Sequence, residues 1–287
     1  MNTHLLSVLT SGGFTQQADG IYSGPLSFPN QMQEIERELR ERVAACFFDN
    51  YLETIAKNHS MPVMDHEVDR FLKKMPEGAL ILDIGGCWGW HWRRLAKTRP
   101  DVGVIIIDFV KSNFSHALNI LGPLVPEQVA LLHADATLLP FSGNTSVFDG
   151  IWTVQTLQHI PDFTSAVKEA HRVLKPGGHF INYSLHITPF NKLIYKILGK
   201  PFYSEGMVKN SFYLARANNR QLKILEEVFE DNVNSRYSEN FFHPDLKIVF
   251  SGREGNLLGL LDAMLGDSSF IGRRIARQRS FEVRKKY

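Results

Sequence analysis

Residues 79–95, ALILDIGGCWGWHWRRL, constrain the fold more than any other stretch of the chain. Four apolar residues lead into Asp83, glycines follow at 85, 86 and 89, and a segment able to form a helix begins at about Trp90. A buried strand that ends in glycines and leads into a helix N-terminus brings bare backbone N–H groups close to a bound ligand. The stretch therefore predicts a strand, a ligand-binding turn and a helix, in that order.

Length and composition limit the classes of protein that fit. The chain has 287 residues, of which 44% are hydrophobic and 22% charged, as in one large globular domain or one domain with a lid. The net charge of +2 predicts no nucleic-acid partner. Cys46 and Cys87 are too few for a disulfide framework or a zinc site, so we expect a cytoplasmic protein without a metal. No apolar run approaches the roughly 20 residues of a membrane span, so no integral membrane contact is expected.

The N-terminal part, residues 1–75, is predicted to form an arm followed by lid helices. Residues 1–30 indicate two short strands with turns at Gly12-Gly13 and Asp19-Gly20. Apolar residues recur at helical spacing over 31–58, and a second helix is predicted over 65–74. These helices fit a lid over a ligand or simple packing elements equally well.

From residue 79 onward, predicted strands alternate with predicted helices. The strands cover 79–82, 104–107, 129–133, 148–154 and 179–185, and helices cover 115–121 and 163–174. This alternation is typical of an α/β protein with a parallel sheet, in which ligands bind at the carboxyl ends of the strands. Asp83, Asp108 and Asp135 all lie at such ends.

The remainder of the chain first interrupts this alternation and then resumes it. Residues 187–218 are aromatic and basic, and we interpret them as a cap inserted after the fifth strand. Residues 219–287 then supply strands at 233–242 and 277–285, with helices at 256–265 and 269–276 between them. The expected fold is a Rossmann-like, seven-stranded, mostly parallel sheet with an antiparallel last strand.

The position of Asp83 narrows the choice of cofactor. In a dinucleotide site the glycines come first and the acid lies roughly 20 residues later. Here an acid also precedes the glycines directly. A carboxylate at that point would repel a pyrophosphate but can accept hydrogen bonds from an ammonium group. The residues therefore favour a cofactor that carries an amino acid, namely S-adenosylmethionine.

Five motifs in order carry a resemblance to a known family: LDIGGCWG, IIDFV, HADATLLPF, FDGIWTVQTLQHIPD and EAHRVLKPGGHFI. Together they resemble the class I S-adenosylmethionine-dependent methyltransferases, in particular the small-molecule group that includes quinone-biosynthesis enzymes. The resemblance implies a cofactor-binding core over residues 76–186.

The resemblance also implies roles for individual residues. Asp83 would lie near the methionine ammonium group, and Asp108, 19 residues after Gly89, would accept both ribose hydroxyls. Asp135 would accept from the adenine amino group beside the backbone N–H of Ala136. The cofactor-binding set that follows is Asp83, Gly85, Gly86, Cys87, Gly89, Asp108, Phe109, Asp135, Ala136 and Gln155.

One residue departs from the family pattern, which places a glycine at position 87, where this chain has Cys87. Three interpretations are open. The adjacent Gly86 could let the turn shift, the cysteine could fit without a change, or its thiol could be reactive. An isolated cysteine is most often simply buried.

A methyl transfer needs positioning and, for many acceptors, a base near the ends of the fourth and fifth strands. His159 and His186 are the candidates, since histidine titrates near neutral pH, and a structural role fits either of them equally well. We expect O-methylation of a small organic acceptor. Methylation of carbon or nitrogen on a lipid-like or quinone acceptor, and a non-catalytic S-adenosylmethionine-binding protein, are the alternatives.

The cap suggests the character of the acceptor. Its aromatic residues favour an aromatic or lipid-like molecule, although core packing of the cap also accounts for some of them. Lys192, Lys196 and Lys200 recur every four residues with apolar residues between them, which could make a basic amphipathic helix at a membrane surface. The interpretation also allows a homodimer.

Overall fold

A nine-stranded sheet forms the centre of the computed structural model, which describes residues 3–12, 14–24, 26, 31–46, 60–141, 146–241, 252–267 and 269–287. The sheet strands are β1 (Thr15–Gln16), β2 (Tyr22–Ser23), β3 (Leu80–Ile84), β4 (Gly103–Asp108), β5 (Val129–His133), β6 (Phe148–Val154), β7 (Leu174–Leu185), β10 (Asn234–Ser238) and β11 (Gln278–Arg284). A separate hairpin contains β8 (Glu205–Val208) and β9 (Phe212–Ala215).

Helices cover both faces of the sheet. They are α1 (Thr3–Ser11), α2 (Gln31–Cys46), α3 (Ser60–Leu72), α4 (Leu95–Thr98), α5 (Asn113–Leu121), α6 (Leu124–Glu127), α7 (Phe163–Val173), α8 (Pro189–Ile197), α9 (Asn219–Phe229), α10 (Gly252–Leu265) and α11 (Ser269–Ile275). Within the described ranges, none of the helices is long and apolar enough to cross a membrane.

The strand order is β1-β2-β5-β4-β3-β6-β7-β11-β10. From β2 to β7 the neighbouring strands are parallel, whereas β11 is antiparallel to both β7 and β10. Every residue of β3 and β4 is buried, which is why these strands appear in the sequence as continuous apolar runs. The predicted α/β class and the antiparallel last strand are confirmed.

The N-terminal arm differs from the prediction in two ways. The segment before Gly12 is helix α1 and not a strand, because Leu5 and Leu9, four residues apart, are both buried on one helical face. After it, β1 and β2 form a hairpin around Asp19-Gly20, and Tyr22 pairs with Leu132 of β5. The hairpin therefore extends the sheet, and the predicted count of seven strands is wrong.

Two helices are described in the region predicted as lid helices, and their role as a lid stays a prediction. The first is described as α2, and the rest of its predicted range, residues 47–58, lies outside the described residues. The second, α3, begins five residues earlier than expected. The helix expected from about Trp90 is a 3-10 turn at Trp90–Trp92 followed by the short α4.

A buried ionic network joins α3 to the C-terminal strands. The Glu67 carboxylate, 1% exposed, accepts hydrogen bonds from Tyr183 Oη at 2.7 Å, Arg70 Nη2 at 2.7 Å and Arg236 Nε at 3.0 Å. Arg70 also pairs with Glu282 of β11. Removing one member of such a network leaves the others charged and buried.

Glu67→Gln should lower the free energy of unfolding by about 3 kcal/mol, because the buried Arg236 loses a carboxylate partner. Urea denaturation measures this change. Glu34→Gln is the matched control, since Glu34 forms a solvent-accessible pair with Arg37 and should cost under about 1 kcal/mol. Equal, small changes in both variants would contradict the structural importance assigned to the network.

Candidate active site

A cavity of about 260 Å³ opens at the carboxyl ends of β3, β4, β5 and β6, and helix α2 lies over it. Parallel strands bring the loops that follow them to one edge of the sheet, where ligands of such folds bind. Polar and charged residues contribute much of the lining: Gln33, Glu36, Arg40, Asp108, Asn113, Asp135, Gln155, Thr156 and His159.

The turn after β3 approaches its neighbours too closely for most side chains. Gly85 has a φ of 69°, and a Cβ built there would lie 2.2 Å from Thr156 Cγ2 of the loop after β6. Only glycine combines that conformation with that contact. The bare backbone of Gly85 therefore forms part of the cavity wall, as expected for a cradle that a cofactor approaches.

Cys87 has a φ of 52°, in the left-handed region. This conformation gives the physical reason for a glycine at this position in the family pattern. The cysteine adopts the glycine-like conformation itself, and its N–H donates to Asp108 Oδ2 at 3.1 Å. Burial raises the pKa of the Cys87 thiol well above its usual range, which disfavours the reactive thiolate.

Asp108 ends β4 and faces the cavity with its carboxylate fixed by several donors. Oδ1 accepts from the Val110 N–H at 2.8 Å, and Oδ2 accepts from the Cys87 N–H and from Asn113 Nδ2 at 3.3 Å. Burial raises the pKa of Asp108 to about 6 despite these bonds. The carboxylate is therefore held in one orientation.

Asp135, after β5, forms the other end of the cavity. Its Oδ1 accepts from the Thr137 N–H at 2.8 Å and Oγ1 at 2.9 Å. Gln33 Nε2 of α2 donates to both carboxylate oxygens, at 3.2 and 3.1 Å. An amide –NH₂ thus occupies the position that the resemblance assigns to the adenine amino group.

Asp83 is 2% exposed and lies behind the turn, outside the cavity lining. Its Oδ2 accepts from Trp92 Nε1 at 2.7 Å, and burial, reinforced by the charge of Asp108, raises its pKa to about 7. Gly86 packs directly over it, since a Cβ there would lie 2.2 Å from Asp83 Oδ2. In this structure the Asp83 side chain packs against the turn on the side away from the cavity and supports it there.

Most of the predicted cofactor residues meet at the cavity. Those that line it are Gly85, Cys87, Asp108, Phe109, Asp135, Ala136 and Gln155, whereas Asp83, Gly86 and Gly89 form the turn behind them. Whether each contacts a cofactor stays a prediction.

His159 lines the cavity, but both of its ring nitrogens are engaged. Nδ1 must donate to the Tyr213 carbonyl at 2.8 Å, so the unprotonated Nε2 faces the donors Arg40 Nη2 at 3.3 Å and Gln158 Nε2 at 3.1 Å. Burial and the nearby Arg40 charge lower the pKa of His159 to about 3. The ring is therefore neutral at physiological pH.

His186 does not line the cavity. It follows β7, is 7% exposed, and packs against Tyr237 with ring centroids 5.5 Å apart. Neither ring nitrogen has a hydrogen-bond partner among the described side chains and backbone. Burial, followed by the charges of Arg279, Arg216 and Arg273, lowers its pKa to about 4.

Sequence reasoning allowed α2 to act as a lid but missed the residues by which this helix lines the cavity. Gln33, Glu36 and Arg40 recur at spacings of three and four, so they lie on one face of this helix and meet the cavity together. In the sequence they belong to a charged helix, QMQEIERELRER, whose polar residues are indistinguishable from a solvated face. The signal available in the sequence was the spacing of three and four residues, which places Gln33, Glu36 and Arg40 on one face of the helix.

Comparison with known proteins agrees with this geometry. Residues 82–182 match the family model described as a methyltransferase domain. A demethylmenaquinone methyltransferase of Staphylococcus epidermidis is 42% identical over 76 residues, which are 26% of this chain and 31% of that protein. The sterol 4-C-methyltransferase strm-1 of Caenorhabditis elegans is 32% identical over 126 residues, 42% of this chain and 36% of that protein. The chain thus spans about a third of these curated relatives.

Solved structures agree at the level of the fold. The 1,6-didemethyltoxoflavin-N1-methyltransferase of Burkholderia thailandensis has a TM-score of 0.54 at 15% identity, covering 92% of each chain. Phosphoethanolamine N-methyltransferase 2 of Haemonchus contortus has a TM-score of 0.51 at 17% identity, covering 77% of this chain and 53% of that one.

The mostly parallel sheet with an antiparallel edge is the fold that this chain shares with these methyltransferase structures. Within it, residues 82–182 match the model of a methyltransferase domain.

Asp83→Asn should raise the free energy of unfolding at pH 8 by on the order of 2 kcal/mol, and the gain should vanish below about pH 4. The pKa of Asp83 is about 7 in the folded chain against 3.8 as the ordinary value. Its contribution to stability is therefore complete below pH 4 and is lost as the pH rises through 7. Urea denaturation across this pH range tests the trend.

Asp101→Asn is the matched control for that pH series. Asp101 pairs with Arg99, which holds its pKa below the usual range, so its contribution is present at neutral pH and lost only in acid. This control should lose stability at pH 8. A stability change of the same sign in both variants would contradict the explanation by burial.

Cys87→Gly should change the free energy of unfolding by less than about 1 kcal/mol, since relief of the left-handed conformation offsets the added freedom of the unfolded chain. Gly85→Ala should cost more than about 2 kcal/mol because its Cβ meets Thr156. Thermal or urea unfolding of both variants compares these positions. A large loss in Cys87→Gly would show that the sulfur atom itself matters.

Proposed function

We propose that this chain is a methyltransferase that transfers a methyl group from S-adenosylmethionine to a small organic acceptor, with an oxygen atom as the methylated atom. The observation that supports this most directly is the pair Asp108 and Asp135, whose carboxylates face one cavity at successive strand ends within the methyltransferase domain. The bare backbone of Gly85 and the presence of both carboxylates in one cavity fit a ligand with a ribose and an adenine.

When bound, S-adenosylmethionine supplies an activated sulfonium methyl group. In the proposed transfer, the acceptor oxygen would form the new O–CH₃ bond as the S–CH₃ bond breaks, and the electron pair of that bond would stay on the sulfur of S-adenosylhomocysteine. The protein has to orient the acceptor, exclude water and receive the hydroxyl proton.

Glu36 of α2 is the group best suited to receive that proton. It is 1% exposed and lines the cavity, and its Oε1 accepts from Arg40 Nε at 2.8 Å. Its other oxygen, Oε2, has no hydrogen-bond partner within the described part of the chain. Burial raises the pKa of Glu36, which makes the carboxylate a stronger base than usual.

His159 is less suited to that role in this geometry, although its assignment as the base stays a prediction. Its Nε2 would have to lose the Arg40 and Gln158 donors before it could accept a proton, and the neighbouring Arg40 charge opposes an imidazolium. We propose instead that His159 positions Arg40, and through it the carboxylate of Glu36. His186, outside the cavity lining, is the weaker of the two histidine candidates.

There are two alternatives to this proposal, the first of which is also suggested by the comparisons. The names of the relatives include a demethylmenaquinone and a sterol 4-C-methyltransferase, and those of the structural neighbours include N-methyltransferases, so carbon or nitrogen is an alternative target. A non-catalytic S-adenosylmethionine-binding protein is the other. Glu36 lines the cavity and has one carboxylate oxygen without a hydrogen-bond partner among the described residues, which favours a reacting acceptor over binding alone.

Asp108→Ala should weaken binding of S-adenosylhomocysteine by at least about tenfold, since the variant lacks a carboxylate for the ribose hydroxyls. Isothermal titration calorimetry measures the affinity. Asp149→Ala is a control on the opposite side of the fold, where Asp149 pairs with Lys175. Unchanged affinity in Asp108→Ala would remove the ribose assignment, and absence of binding by the unmodified chain would overturn the proposed function.

Glu36→Gln should lower kcat by about a hundredfold or more while S-adenosylhomocysteine affinity changes little, and kcat of the unmodified chain should rise as Glu36 ionises. The assay follows labelled methyl transfer to demethylmenaquinone, a sterol, phosphoethanolamine and simple phenols. His159→Gln is the comparison variant. A larger loss in His159→Gln, with the pH profile unchanged in Glu36→Gln, would return the role of base to His159.

A further inference from the structure

Helix α8 presents an apolar stripe to solvent. Phe190, Leu193, Ile197 and the following Leu198 are 40%, 52%, 73% and 38% exposed. The spacing of three and four residues places Phe190, Leu193 and Ile197 on one face of the helix, and Ile194, at the edge of that face, is 4% exposed and packs inward. Contiguous apolar patches of this kind mark sites of interaction.

Positive charge borders that stripe. Lys192 and Lys196 lie exposed on the same helix, and neither forms an ion pair with an acid within the described ranges. The sequence contains no Asp or Glu between Glu169 and Glu205, so this region carries basic residues alone. An apolar stripe flanked by lysines is the pattern of helices that lie on anionic membranes.

The adjoining helix α11 continues the pattern. It contacts α8, its Phe270 is 70% exposed, and the guanidinium carbon of Arg274 lies 4.0 Å from the centroid of that ring. We call Phe190, Lys192, Leu193, Lys196, Ile197, Phe270 and Arg274 the α8–α11 surface.

This surface lies near the carboxyl edge of the sheet. β7 ends at Leu185, and Thr188 caps α8, accepting from the Asn191 N–H at 3.0 Å. The β8–β9 hairpin that follows α8 contacts both α2 and the 3-10 turn Leu157–His159. A partner on the α8–α11 surface would therefore lie on the cap that adjoins the cavity.

We propose that the α8–α11 surface docks the protein on an anionic phospholipid bilayer. A bilayer offers an apolar interior for Leu193 and Ile197 and acidic headgroups for Lys192 and Lys196 at the depths where a surface helix places them. A second copy of the chain fits less well, because an isologous contact would bring the lysines of both copies together. The inference is independent of which acceptor is methylated.

Co-sedimentation of the full chain with vesicles tests the proposal without any methyl acceptor. Vesicles of phosphatidylcholine and phosphatidylglycerol should retain at least about five times more protein than phosphatidylcholine alone, and high salt should reduce this retention. Leu193→Ser with Ile197→Ser, and separately Lys192→Glu with Lys196→Glu, should each reduce retention at least about fivefold. Circular dichroism verifies that both variants are folded.

Leu257→Ser with Met264→Ser is the matched control, since these apolar side chains on α10 are 59% and 72% exposed but lie outside the α8–α11 surface. It should sediment like the unmodified chain. No retention by acidic vesicles, or equal losses in control and α8 variants, would overturn the proposal. A dimer in light scattering that dissociates in the Leu193→Ser, Ile197→Ser variant, without vesicle binding, would assign the surface to a second copy instead.

Discussion

Burial of carboxylates along one edge of the sheet determines the local structure of the site. Asp83, Asp108 and Asp135 are 2%, 5% and 1% exposed, and burial raises the pKa of each. Each needs donors to offset the loss of water. The Trp92 indole serves Asp83, Thr137 serves Asp135, and backbone N–H groups of the neighbouring turns serve Asp108. The N–H groups of the glycine turn and the Trp92 indole therefore both offset the cost of burying these carboxylates.

The core of the fold could be predicted from the sequence because its strands are buried on both faces. Continuous apolar runs placed β3 to β6 within a residue or two, and the glycines and acids marked their ends. The arm was harder, because Leu5 and Leu9 in a short segment fit a strand or a helix until their burial on one face is known. The pairing of β2 with β5 joins segments more than a hundred residues apart, which local patterns do not encode.

The sequence predicted the site residues that lie at strand ends, but it did not predict those that helix α2 contributes. Asp108 and Asp135 come to the cavity because parallel strands end at one edge. Glu36 and Arg40 come from α2, whose packing over that edge depends on tertiary contacts. The sequence likewise could not show that the Asp83 side chain lies behind the turn. Successive residues of a strand point to opposite faces, so a shift of one residue decides whether a side chain faces the cavity or is buried.

Helix α2 contacts residues at both ends of the cavity. Gln33 contacts Asp135 at one end, and Arg40, seven residues later, contacts His159 at the other. An α-helix rises 1.5 Å per residue, so these contacts are about 10 Å apart on one stiff rod. A displacement that withdraws Gln33 from Asp135 also shifts Glu36 and Arg40. A ligand that moved α2 by displacing Gln33 from Asp135 would therefore also change the alignment of the charged groups at the opposite end of the cavity.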